Sequence, residues 1–214
     1  MPRKLDILNR IHDEAIVAII RAESADGLLK AAEALRAGGL TVIEVTMTTP
    51  GALRVIEEAN AHFGDAVCFG AGSVLDSETA RLAILAGARF LVTPTLDIPT
   101  IRMANRYSTP IMMGCYTPSE IKTAWEQGAD LIKLFPSMQG GIDYLKAVRA
   151  PLPQVEFVPT GGIDVDNAAD FLKAGAFALG IGSSLVNDAL LKRGDYDEIT
   201  RRASAFRAKA AEAR

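Results

Sequence analysis

Three ionisable residues stand inside runs that are otherwise apolar: Lys133 in "LIKLF", Glu44 in "VIEVT" and Arg21 in "IIRA". Lysine and glutamate are almost never fully buried without a partner, so each placement asks for a cause. A structural cause would join Glu44 and Arg21 as a buried ion pair and let the Lys133 head reach solvent. A chemical cause makes the lysine an amine nucleophile. An ammonium with the usual pKa of ~10.4 is inert at neutral pH, whereas an apolar wall or a nearby cation frees its lone pair. A neutral amine attacks a ketone to give an imine, and the protonated imine then withdraws electrons from the adjacent carbon–carbon bond. Glu44 is the acid placed within a strand core to move the protons of such a reaction. The chemical cause is preferred, because perturbed ionisable groups cluster at functional sites.

The other reactive side chains compete poorly. His12 and His62 fall in predicted helices, which leaves a histidine-based metal site without support. Asp130 and Asp164 flank strands, where capping explains them. Cys68 and Cys115 sit in "VCFGAG" and "IMMGCY", apolar contexts typical of inert thiols.

Anion-binding character appears late in the chain. "TGGID" carries Gly161 and Gly162 into a helix expected at Asp164, and "GIGSSLV" carries Gly182, Ser183 and Ser184. Bare N–H groups and a helix N-terminus at two such loops suit a phosphate. Ser73 follows Gly70 and Gly72, which permit either close approach of a ligand or a tight turn. Arg21 offers a planar fork for a carboxylate, and Phe135 can wall the pocket and desolvate the amine.

These residues need elements to hold them. Eight strand-like segments run through the chain: "IVAIIRA", "TVIEVTM", "VCFGAGSV", "FLVTPT", "PIMMGC", "LIKLFPS", "EFVPTGG" and "FALGIGSSL". Between them, apolar residues recur at helical spacing, as in "ADGLLKAAEALRAGG", "SETARLAILAGA" and "NAADFLKAGA". Asp76 or Ser77 caps one helix, Ser119 follows Pro118 at the start of another, and Gly38, Gly87, Gly128 and Gly175 stand at helix ends. The unit repeats every 20 to 27 residues, roughly. Eight alternating units predict a single (β/α)8 barrel spanning residues 1–214 as one domain. "RKLDILNRIHDEA" is expected to plug the barrel floor and "DYDEITRRASAFRAKAAEAR" to complete the outer ring. In such barrels the site lies at the carboxyl ends of the strands. If Ile43, Val45, Ile132, Leu134 and Ile20 face the helices, then Glu44, Lys133 and Arg21 face the interior.

A net charge of −3 argues against nucleic-acid or anionic-membrane partners. With no leader pattern and no apolar run near the length of a membrane span, the cytoplasm is the expected location.

Together, "AGGLTVIEVT", "GAGSVL", "VTPTLD", "IKLFPS", "VPTGGI" and "GIGSSLV", in that order, resemble the class I 2-keto-3-deoxy-6-phosphogluconate (KDPG) and 4-hydroxy-2-oxoglutarate (KHG) aldolases. The resemblance covers nearly the whole chain. It implies that Lys133 forms the Schiff base and Glu44 is the general acid/base. It further implies that Ser73 contacts the pyruvyl portion, that Pro94 and Phe135 line the pocket, and that Gly162, Gly182 and Ser183 hold the phosphate. The implied partners are a phosphorylated keto-deoxy sugar acid and pyruvate, in a homotrimer with neither cofactor nor metal. One departure stands out. Many members carry an arginine four residues after the glutamate, where this chain has Thr48, while others carry one at the end of strand one, as Arg21 does. Arg21 is therefore expected to bind the carboxylate, with Thr48 adding at most a hydroxyl contact. Two rivals stay open: a phosphate-binding barrel isomerase or lyase that forms no imine, and a self-assembling barrel scaffold with little turnover.

Overall fold

In the computed structural model, residues 3–21 and 25–214 are described. Eight strands, β1 (Ile16–Ile20), β2 (Val42–Thr46), β3 (Cys68–Gly72), β4 (Leu91–Val92), β5 (Ile111–Cys115), β6 (Leu131–Leu134), β7 (Phe157–Pro159) and β8 (Leu179–Ile181), form one sheet in the order β7-β6-β5-β4-β3-β2-β1-β8. Every paired neighbour is parallel. The seam between β7 and β8 is closed by a bridge between Thr160 and Gly180, and the Phe177 N–H donates to the Phe157 carbonyl at 2.8 Å. This is the single (β/α)8 barrel that the alternating pattern predicts.

The helices are α1 (Lys4–Glu14), α2 (Ala25–Ala37), α3 (Ala52–Phe63), α4 (Ser77–Leu85), α5 (Ile98–Arg106), α6 (Pro118–Glu126), α7 (Gly141–Arg149), α8 (Ala168–Lys173), α9 (Asp188–Arg193) and α10 (Tyr196–Ala213). Strand side chains alternate, so each strand feeds two cores. Ile43, Val45, Ile132 and Leu134 point outward and pack with the helices' apolar faces. Val17, Val42, Phe90, Met112, Leu131 and Val158 fill the lower barrel, where Ile7 and Ile11 of α1 join them. Burying one such side chain stabilises the fold by about 1.5–3 kcal/mol, so α1 is a packed floor. Glu14 fastens it: its Oε1 accepts from the N–H groups of Thr41 and Val42 at 2.7 Å each, and its Oε2 accepts from Thr41 Oγ1 at 2.6 Å. The upper interior is left for polar groups.

The helix ends can now be assigned atom by atom. α6 starts at Pro118 with Ser119 next, where the sequence puts them, and its cap is Thr117, whose hydroxyl and the Glu120 carboxylate bond each other's backbone N–H groups. Asp76, and not Ser77, caps α4, accepting from the Thr79 N–H at 2.6 Å. After α2 the left-handed position belongs to Gly39 (φ 87°) and not to Gly38. Gly38 serves packing instead, since a Cβ there would overlap Ala203 of α10.

Cys68 and Cys115 are buried, unpaired thiols whose pKa values burial pushes to about 11 and about 12. His12 rests on Phe177 and His62 meets Glu33 at 3.1 Å, neither on the strand-end face. Among the described residues no helix is long and apolar enough to cross a membrane.

Candidate active site

A cavity of about 390 Å³ opens at the carboxyl ends of the strands. Lys133 enters it from β6, in register with Gly114 of β5 and Val158 of β7, and is 7% exposed. Glu44 enters from β2, in register with Ile19 of β1 and Gly70 of β3, and is 2% exposed. The outward packing of Ile43, Val45, Ile132 and Leu134 fixes both inward directions. Among the described residues, neither the Lys133 ammonium nor the Glu44 carboxylate has a hydrogen-bond or ion-pair partner. The proposed buried pair of Glu44 and Arg21 does not form: Arg21 is exposed at the end of β1, where it lines the cavity. Burial pushes the Glu44 carboxyl above the usual glutamate range, with the Lys133 and Arg21 charges working against that rise.

Glycines make the room these side chains use. A Cβ on Gly72 would overlap the Glu44 carboxylate, and one on Gly70 would overlap the Phe90 ring. Close approach of a ligand is therefore not the purpose of this pair, and neither is a tight turn. Ser73 follows with φ 55°, a conformation rare for a residue with a side chain, and lines the cavity.

Phe135 stands at the mouth with its ring centroid 5.1 Å from Lys133 Nζ. The face of a phenyl ring attracts a cation at this range, so the ring is placed to stabilise the positive nitrogen of an imine formed there.

At the β7–β8 side, Gly161 (φ 95°) and Gly162 (φ 75°) turn the chain over the cavity. The N–H groups of Gly162, Gly182 and Ser183 donate to no acceptor among the described residues. Successive unpaired amides of this sort form an anion-binding concavity. The helix expected at Asp164 begins only at Ala168, because Asp164 Oδ1 accepts from the Asp166 and Asn167 N–H groups at 3.0 and 3.1 Å. Ser184 Oγ donates to the Ile163 carbonyl at 2.7 Å and ties the two loops together.

Pro94 lines the cavity as well; Thr48 does not. Thr48 is exposed in an adjoining cleft, with Oγ1 3.0 Å from Thr46 Oγ1. Two inward hydroxyls escaped the sequence reading, those of Thr46 and Thr160, both buried and both lining the cavity. Alternation would have found them, since Thr46 lies two residues beyond Glu44 and Thr160 two beyond Val158. Asp188, at the rim beside the β8 loop, gave no sequence signal.

Fold and cavity define a (β/α)8 barrel with a strand-end site that carries an unpaired amine, an unpaired carboxyl and a set of free amides. A family model described as KDPG and KHG aldolase matches residues 7–202. The 2-dehydro-3-deoxy-phosphogluconate aldolase of Pseudomonas aeruginosa is 35% identical over 202 residues, covering 92% of this chain and 89% of that one. The KHG/KDPG aldolase of Escherichia coli (strain K12) is 35% identical over 187 residues, 87% of each. Among solved structures, KDPG aldolase from Legionella pneumophila, with pyruvate captured at low pH as a covalent carbinolamine intermediate, superposes with a TM-score of 0.87. It is 31% identical and covers 93% of this chain and 97% of that one. The chain belongs to the KDPG and KHG aldolase family.

Proposed function

We propose that the protein is a class I aldolase that reversibly cleaves 2-keto-3-deoxy-6-phosphogluconate, or a close relative, to pyruvate and glyceraldehyde 3-phosphate. The observation that carries this reading is the placing of Lys133 and Glu44, two buried ionisable groups that face one cavity with no hydrogen-bond or ion-pair partner among the described residues. Each feels the other's charge, and a ligand in the cavity would supply the hydrogen bonds both lack.

In the proposed path the neutral Lys133 amine attacks the C2 ketone. Glu44 gives a proton to the departing hydroxyl of the carbinolamine, water leaves, and a protonated imine remains. Glu44, now a carboxylate, accepts the proton of the C4 hydroxyl as the C3–C4 bond breaks. The bonding electrons pass into the imine to give an enamine, and glyceraldehyde 3-phosphate departs. The enamine takes a proton at C3, and hydrolysis releases pyruvate. Burial raises the Glu44 carboxyl, which favours the protonated form that must give the first proton. The imine is the electron sink, so the path calls for no metal.

Phosphate binding at the free amides of Gly162, Gly182 and Ser183, carboxylate binding by Arg21, a pyruvyl contact from Ser73 and lining by Pro94 belong to the same reading. A homotrimer and a cytoplasmic location go with it. Association is supported by the exposed apolar side chains Leu75, Leu82 and Leu85 on and before α4.

Pyruvate with borohydride tests the imine. A reduced adduct located at Lys133 by mass spectrometry is expected, and its absence there would sink the mechanism.

A further inference from the structure

Thr46 is a polar group in the cavity with no role in the path above. It lies two residues beyond Glu44 on β2, so its side chain leaves the same inward face. It is 2% exposed and lines the cavity with Lys133 and Glu44. Beyond it the chain turns, closed by the Thr49 N–H donating to the Thr46 carbonyl at 2.9 Å. The turn brings two more hydroxyls back onto the strand end: Thr48 Oγ1 lies 3.0 Å and Thr49 Oγ1 3.4 Å from Thr46 Oγ1.

A hydroxyl has two acceptor lone pairs but a single proton to give. If Thr48 and Thr49 both donate to Thr46 and fill its two lone pairs, the Thr46 proton is left for the cavity. Arg21, Thr46 and Ser73 end the three adjacent strands β1, β2 and β3, while the free amides stand at β7 and β8. A 2-keto acid bound as an imine carries its carboxylate on the carbon next to the imine and its phosphate at the far end of the chain. β1 adjoins β8, so it is the Arg21 cation, and not distance from the amides, that marks the β1–β3 side for the carboxylate.

We propose that Thr46 donates its hydroxyl proton to the carboxylate of the bound keto acid, and that Thr48 is a positioning residue that donates to Thr46 from outside the cavity. The inference deepens the aldolase reading and rests on it. It also gives Thr48 a task that its exclusion from the cavity permits.

The test is borohydride trapping at Lys133 with two probes, pyruvate and methyl pyruvate, the second lacking the carboxylate charge. Thr46→Val keeps the shape and removes the hydroxyl. It is expected to raise the half-saturating pyruvate concentration about ten- to hundredfold, the worth of a hydrogen bond to a charged group, with methyl pyruvate little changed. Thr46→Ser, which keeps the hydroxyl, is expected to restore pyruvate trapping. Thr48→Val is expected to show a smaller rise, about two- to fivefold, with pyruvate alone. An unchanged pyruvate response in Thr46→Val, or equal loss with both probes, overturns the proposal. Should Thr46→Val fail to fold, Thr48→Val at its exposed position decides: a rise confined to pyruvate supports the proposal and no change overturns it. No adduct in the parent protein overturns the aldolase reading itself, whereas a normal parent adduct with an indifferent Thr46→Val overturns only the role of Thr46.

Discussion

The Glu44 carboxylate lies over Gly72, in the space that the Cβ of any other residue would occupy. β2 and β3 are paired here with Thr46 beside Gly72, so the carboxylate is set by strand register and by the missing side chain across from it. Gly72→Ala is therefore expected to displace Glu44 without removing it. Overpacking of this kind costs about 1–3 kcal/mol of stability. Turnover is expected to fall toward that of Glu44→Gln, and adding Gly72→Ala to Glu44→Gln should cost little further activity. A double-mutant cycle on kcat measures this, and independent losses would contradict the coupling.

Glu44→Gln is expected to lower kcat by about 10²–10⁴, the usual contribution of a general acid or base. Its effect on stability runs the other way. Burial raises the folded-state carboxyl pKa above its reference of 4.5, so the native state holds this proton more tightly than the unfolded chain does. The stability associated with that proton is fully present below pH 4.5 and is lost as pH rises through the folded value. At neutral pH the glutamine variant should melt higher than the parent, with the gap closing in acid. Melting temperatures taken across pH check the sign, and a parent more stable than the variant at pH 7 to 8 would refute it.

Arg21→Ala removes the cation at the end of β1. KM for the keto acid is expected to rise about tenfold or more, with kcat less affected, as a contact made with bound substrate and transition state alike would require. Thr48→Ala should have a several-fold smaller effect, since Thr48 reaches the cavity only through Thr46. Steady-state kinetics on one keto-deoxy acid distinguish the two, and the reverse order would return the carboxylate to Thr48.

Phe135→Leu keeps an apolar wall and removes the ring face. Cation–π contacts contribute about 0.5–2 kcal/mol, so the protonated imine should accumulate less. The amount of adduct trapped at saturating pyruvate reads this population, and an undiminished yield would show that the ring only fills space.

The barrel and the inward aim of Lys133 and Glu44 were legible because both rest on period-two alternation, which a buried strand obeys at every residue. The same rule ends where the strand ends. Beyond Thr46 the chain turns, so Thr48, named through the family resemblance and not by alternation, stands outside the cavity, while Thr46 itself was passed over. Gly70 and Gly72 showed that side chains were absent, but only the fold shows that the Phe90 ring and the Glu44 carboxylate fill those spaces. Asp164 looked like the start of a helix because an aspartate that caps a turn has the same local composition as one that caps a helix. The distance of the Phe135 ring from Nζ is set by how the chain turns after β6, which no spacing encodes.

The barrel seam has a consequence for dynamics. β7 and β8 meet at little more than the bridge between Thr160 and Gly180, and the free amides of Gly162 and Gly182 stand just past it on either side. A phosphate held between those loops would tie together the two ends of the sheet that meet to close the cylinder. Occupancy and closure would then be linked by mass action, so that ligand binding would also stabilise the closed barrel.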